Sequence, residues 1–136
     1  MSMVEALERL VVAADDGRLD ALARRHGLAL VTVFGSAVRD ASTARDLDVA
    51  VLFARPATGA ELLVLEALVE LSGTESVDLM VLDRAEPAAR FNGLAGALPL
   101  WQDGPGRWGA TQMAAASEVF DTEWLRRAAL ERMAAG

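Results

Sequence analysis

Apolar residues recur along this chain with two periods, one suited to helices and one to strands. Val4, Leu7, Leu10 and Val11 repeat at helical spacing behind Ser2 and Glu5, which stand at capping-box separation, and predict a first helix to about Ala14. Asp15, Asp16 and Gly17 interrupt it; a second short helix from Leu19 is expected to stop at Gly27, where a C′ glycine fits, with the lone histidine, His26, at that end. Residues 29–34, ALVTVF, are β-branched and aromatic, and end at Gly35 as a buried strand would. Residues 47–53, LDVAVLF, predict a second strand. After a loop at Pro56–Gly59, helical spacing returns from Ala60 to Leu71 with Glu61, Glu66 and Glu70 outside, the pattern of a crossover helix. VDLMVLD, 77–83, predicts a third strand, and Pro87 opens a helix through about Leu94. Pro99 to Trp108, with DGPG inside it, reads as a tight turn or hairpin. A final helix is expected from about Ala110 to Ala134, with Met113, Ala116, Phe120 and Trp124 about four apart.

Strands alternating with helices predict an α/β or α+β fold, a small sheet covered by helices. At 136 residues and 53% hydrophobic, with no linker or repeat, residues 1–136 are expected to form a single folded domain. The net charge of −7 opposes binding to a nucleic-acid backbone, which needs clustered cations, and favours a basic protein partner instead. There are no cysteines, so disulfides and thiol chemistry are excluded. The acidic, amphipathic N-terminus is unlike a secretory signal, and no run approaches the ~18 apolar residues of a membrane span. A cytoplasmic protein is expected.

Candidate chemistry lies between residues 34 and 53. Side chains alternate across a strand, so Asp46 and Asp48 point to one face and Leu47, Val49, Val51 and Phe53 to the other. Like charges side by side repel and require a cation. Asp78 sits in the same acid-then-apolar setting and can reach the same face from a neighbouring strand. Three such carboxylates suit a hard divalent cation, most simply Mg2+, whose open positions are usually filled by phosphates and water. Gly35 allows close backbone approach, Ser36 can start a helix and present its hydroxyl and the following N–H groups to a phosphate, and Arg39 adds a cation one turn on.

Gly35-Ser36 followed by Asp46-x-Asp48, with Asp78 later, resembles the nucleotidyltransferase superfamily with the DNA polymerase β-like palm. The small size, VTVFGSAVR, DLDVAV, VDLMVLD and EVFDTEWLRR are similar to the minimal nucleotidyltransferase (MNT) group, including the MntA-type antitoxins of HEPN/MNT toxin–antitoxin pairs. The resemblance spans nearly the whole chain. It implies a small mixed sheet flanked by helices, ATP as substrate, two Mg2+ ions, and transfer of AMP to a tyrosine of a cognate HEPN toxin in a type VII-like pair. It implies that Asp46 and Asp48 ligate metal, that Asp78 completes the site near the attacking oxygen, and that Gly35 and Ser36 hold the triphosphate. Two alternatives stand beside it: neutralisation of the HEPN partner by binding alone, and a small-molecule nucleotidyltransferase, for whose usual extra helical domain no residues remain.

Two features depart from the group's pattern. The nine residues between Ser36 and Asp46 make a spacer one shorter than the commonest form, and Asp40 stands where a glycine usually follows the arginine. An acid beside a triphosphate weakens its binding by repulsion. The chain has no tyrosine and so cannot be its own tyrosine acceptor. His26 is expected to be a helix-end residue and not a catalyst; Trp101 and Trp108 are expected to pack a hairpin, Phe120 and Trp124 to lie in the core, and Asp121 and Glu123 to face solvent.

Overall fold

The computed structural model describes residues 1–55 and 60–135, and leaves aside the side chains of residues 122–125. The loop expected at Pro56–Gly59 and the side chains of Glu123 and Trp124 therefore lie outside the described residues. In chain order the elements are α1 (Met3–Asp16), α2 (Arg18–Arg25), β1 (Leu28–Phe34), α3 (Ser36–Asp40), β2 (Leu47–Phe53), α4 (Glu61–Ser72), β3 (Val77–Val81), α5 (Pro87–Leu94), β4 (Leu98–Gln102) and α6 (Arg107–Ala135).

The four strands form one sheet in the order β3-β2-β1-β4. β1 runs antiparallel to both its neighbours, and β2 and β3, joined through α4, are parallel. The fold is therefore mixed α/β, with the helices divided between the two faces of the sheet. On one face, Val31, Val33, Leu47, Val49 and Val51 share a buried cluster with Leu10 of α1, Leu19 of α2, and Val64 and Leu68 of α4. On the other, Leu30 and Ala50 pack with Leu82, with Leu94 of α5 and with Ala115 of α6. The apolar side of β2 is thus the one expected, and Asp48 shares its strand face with Ala50.

The hydroxyl of Ser2 accepts the N–H of Glu5 at 3.2 Å and caps α1. The buried stripe of that helix is Met3, Ala6, Leu10 and Ala13; of the expected Val4, Leu7, Leu10 and Val11, Leu10 is buried and Leu7 packs partly against the same core. Alanines let the helix come close to the sheet, and Val4 is left exposed. β3 ends at Val81, two residues early, in a 3-10 turn over Leu82–Arg84. The Asp83 carboxylate accepts the Phe53 N–H at 3.0 Å and so replaces the next rung of the β2–β3 ladder.

Three further expectations are corrected. Residues 99–108 are not a hairpin: β4 pairs with β1, far away in sequence, and the turn after it leads straight into α6, whose first turn is capped by Gln102 Oε1 accepting the Trp108 N–H at 3.0 Å. Accordingly Trp101 and Trp108 do not pack on each other across a hairpin. Trp101 donates its Nε1 hydrogen to Asp20 of α2 at 2.9 Å beneath the Arg24 guanidinium, while Trp108 packs on the α5/α6 side of the sheet. Phe120 is not in the core; it is 68% exposed, as α6 extends along and beyond the small surface that α5 and the sheet offer it. Asp121 is exposed, as expected.

Candidate functional site

The C-terminal end of β1 and the N-terminal ends of β2 and β3 meet at one edge of the molecule. Phe34, the last residue of β1, pairs with Asp48 of β2, and Asp48 pairs in turn with Asp78 of β3. Asp46 stands two residues before Asp48, just ahead of β2, and is exposed, as is Asp78, while Asp48 is half-buried between its neighbours. The structure therefore brings together the three carboxylates that the sequence singled out.

Gly35 follows Phe34 and turns the chain into α3 with φ 73° and ψ −147°, a conformation open in practice to glycine alone. Its Cα lies so close to Asp48 that an added Cβ would overlap the Oδ2 oxygen. Ser36 opens α3, as its pattern predicts, and Arg39 lies in the last turn of that helix. Gly35, Ser36 and Arg39 therefore reach the carboxylate edge through one tight turn.

Burial holds the Asp48 carboxyl above its ordinary pKa, and the negative charges of Asp78 and Asp46 push it the same way; Arg39 is near enough to pull it down but does not win. The edge is thus short of positive charge, and its donors are hard oxygens suited to a divalent cation and its phosphate ligands. Among the described residues, no three His, Cys, Asp or Glu side chains are gathered tightly enough to hold a metal by themselves. A bound cation would need oxygens from substrate or water to complete its shell.

Asp40, which the sequence placed as a threat to triphosphate binding, has a local task. Its Oδ1 accepts both the N–H of Ser42 at 3.1 Å and the Ser42 hydroxyl at 2.5 Å, and these bonds hold its pKa below the ordinary value. The carboxylate closes the short spacer between α3 and β2 as an Asx turn. His26 caps α2 and precedes β1, at the end of the sheet opposite the carboxylates, in a groove with Arg18, Leu22, Arg25 and Leu71. Neither this groove of about 430 Å³ nor a second near Asp83, Arg90 and Glu118 is lined by Asp46, Asp48 or Asp78.

Sequence reasoning missed Gly93. A Cβ there would stand 3.0 Å from Met80 Sδ and 3.7 Å from Ala50 Cβ, so the bare glycine lets α5 lie directly on the residues two past Asp78 and Asp48. A lone glycine inside a helical pattern was the available signal, since it costs helix stability and so implies a packing reason.

The fold has clear relatives among solved structures. A complex of tri-AMPylated Shewanella oneidensis HEPN toxin with MNT antitoxin contains a chain that superposes with a TM-score of 0.63 at 21% identity, over 86% of this chain and 93% of that one. It has the fold of an MNT antitoxin. A toxin–antitoxin complex with AMP-PNP matches this MNT-like chain with a TM-score of 0.67 at 21% identity, over 86% of this chain and 96% of the other. The MntA–HepT toxin–antitoxin complex gives 0.63 at 20% identity, over 86% and 94%. No family model and no curated protein matches the sequence. Among the described residues, no helix is long and apolar enough to cross a membrane.

Proposed function

We propose that this chain is a Mg2+-dependent nucleotidyltransferase that moves AMP from ATP to a tyrosine hydroxyl of a HEPN-type toxin, as the cytoplasmic antitoxin of a type VII-like pair. The observation that carries the reading is the row Gly35, Asp48, Asp78: a side-chain-free turn beside a half-buried carboxylate that is itself in register with a third. The fold shared with AMP-PNP-bound and AMPylated toxin–antitoxin complexes supports the choice of nucleotide and of partner.

In this reading the acceptor oxygen bonds to the α-phosphorus of ATP, the bond from that phosphorus to the bridging oxygen breaks, and pyrophosphate leaves. The acceptor's proton passes to Asp78 or to water. Asp46, Asp48 and Asp78 would hold the Mg2+, which would offset charge on the phosphates. Gly35 gives the triphosphate backbone access, Ser36 offers its hydroxyl and Arg39 its charge.

The test is the intact mass of the protein encoded by the adjacent gene after co-expression with this chain, and with its Asp46→Asn/Asp48→Asn form. A gain of one or more AMP units with the unmutated chain alone is the expected result; no gain overturns the reading. A second reading, neutralisation by binding alone, is favoured by one observation: the carboxylates do not by themselves enclose a metal. Under it the double variant still binds and protects, and no AMP appears on the partner.

A further inference from the structure

β3 is an edge strand. Among the described residues it pairs with β2 and with no other strand, and the pairing runs from Val77 to Val81 without a register shift. The N–H of Leu47 donates to the Ser76 carbonyl at 2.8 Å. In a parallel ladder, successive residues turn their backbone groups alternately to one side and the other, so Ser76, Asp78 and Met80 bond toward β2, and Val77 and Leu79 turn their N–H and C=O groups outward. The two edges of the sheet are treated differently. β4 carries Pro99 and an irregular register against β1, both devices that blunt an edge, whereas β3 has no proline and no bulge.

Resting on the function proposed above, we propose that the outer edge of β3 is the docking surface for the acceptor segment of the partner, which adds as a fifth strand and carries its hydroxyl to Asp78. Neighbouring strands lie about 4.8 Å apart with opposed side chains on a common face. A residue opposite Asp78 on the new strand then stands to Asp78 as Asp78 stands to Asp48, which puts a hydroxyl in line with the carboxylate row. Backbone hydrogen bonds from Leu79 and Val77 would supply binding, and the register would choose the residue modified.

Charge selects the occupant. A second copy of this chain would bring the same net charge of −7 to this edge, which repels, and has no tyrosine to offer as acceptor. The segment that fits is extended, rich in β-forming residues, free of acids near the acceptor, and bears the tyrosine this chain lacks.

Residue-resolved amide hydrogen exchange tests this on the full chain, free and in complex with the co-expressed product of the adjacent gene, alongside the intact mass of that product. The expected result is AMP on the partner together with at least tenfold slower exchange at Leu79 in the complex, while Asp78 and Met80 are already protected in the free chain. AMP transfer with Leu79 exchange unchanged, or with new protection confined to α6, overturns the edge-docking proposal and leaves the function standing. No AMP transfer overturns the function and this proposal with it. Leu79→Pro removes the outward N–H without touching the β2 ladder; it is expected to raise the KM for the protein acceptor at least tenfold and leave the KM for ATP unchanged.

Discussion

The backbone of Gly35 lies against the carboxylate of Asp48, so close that the turn has no room for a Cβ. This contact joins the two motifs of the sequence: the turn after β1 and the acid of β2 are one structure, because Phe34 and Asp48 are partners across the sheet. Gly35→Ala must therefore both adopt a left-handed conformation unsuited to a side chain and displace Asp48. A loss of about 1–3 kcal/mol is expected from the backbone strain alone, measured by urea unfolding, and transfer activity is expected to disappear.

Asp48 sets stability against function. Its carboxyl is held above the ordinary pKa in the folded chain, so ionising it costs stability. That cost is absent where the carboxyl is protonated in both folded and unfolded chains, and grows as pH rises through the ordinary carboxylate value to the higher folded one. In EDTA at neutral pH, Asp48→Asn is expected to melt above the unmutated chain, with the difference closing in acid. Transfer is expected to fall by more than about 100-fold, since even loss of an outer partner of a metal ligand costs about 10–100-fold. Thermal melts over pH and a mass-based transfer assay check both halves.

Trp101 holds β4 to α2 through Asp20. Its indole N–H is the main cause of the depressed Asp20 pKa, followed by the bond from Arg24. A depressed carboxylate pKa contributes stability that is present above the unfolded pKa and lost as pH falls through the folded one. Trp101→Phe is expected to be less stable than the unmutated chain at neutral pH, and the gap is expected to narrow below the ordinary carboxylate range. Unfolding curves at several pH values decide it.

Arg90 ties the turn after β3 to α5 and α6. It donates to the carbonyls of Leu82, Asp83 and Ala85 and to both oxygens of Glu118, from a side chain only 22% exposed. Arg90→Met keeps the stem and strips every one of these donors. A destabilisation of about 2–3 kcal/mol is expected, the range for losing charge-assisted bonds with acceptors left behind.

Phe120 is the opposite case. With its ring mostly in solvent, Phe120→Ser is expected to change stability by no more than about 0.5 kcal/mol. A core residue would cost several times that, so one pair of melts separates the observed placement from the one its helical spacing predicted.

What the sequence determined by itself was local. The runs of apolar residues placed β1 and β2 to within a residue, Pro87 marked the start of α5, the alternation in β2 set Asp48 apart from Leu47 and Val49, and Ser36 marked the start of α3. These follow from repeats of two or 3.6 residues, which neighbours along the chain are enough to impose. Tertiary structure decided everything that depends on pairing at a distance. Residues 98–102 became an edge strand because β1 had a free side, Asp83 ended β3 by taking an N–H from β2, and Trp101 found its partner in α2. Phe120 sits at core spacing with no core beside it, because a helix's pattern states which side is apolar but not whether anything covers it. The same limit applied at the site: Asp46, Asp48 and Asp78 were legible in and just ahead of strand-like runs, but the row Gly35, Asp48, Asp78 came only from the register of β1, β2 and β3.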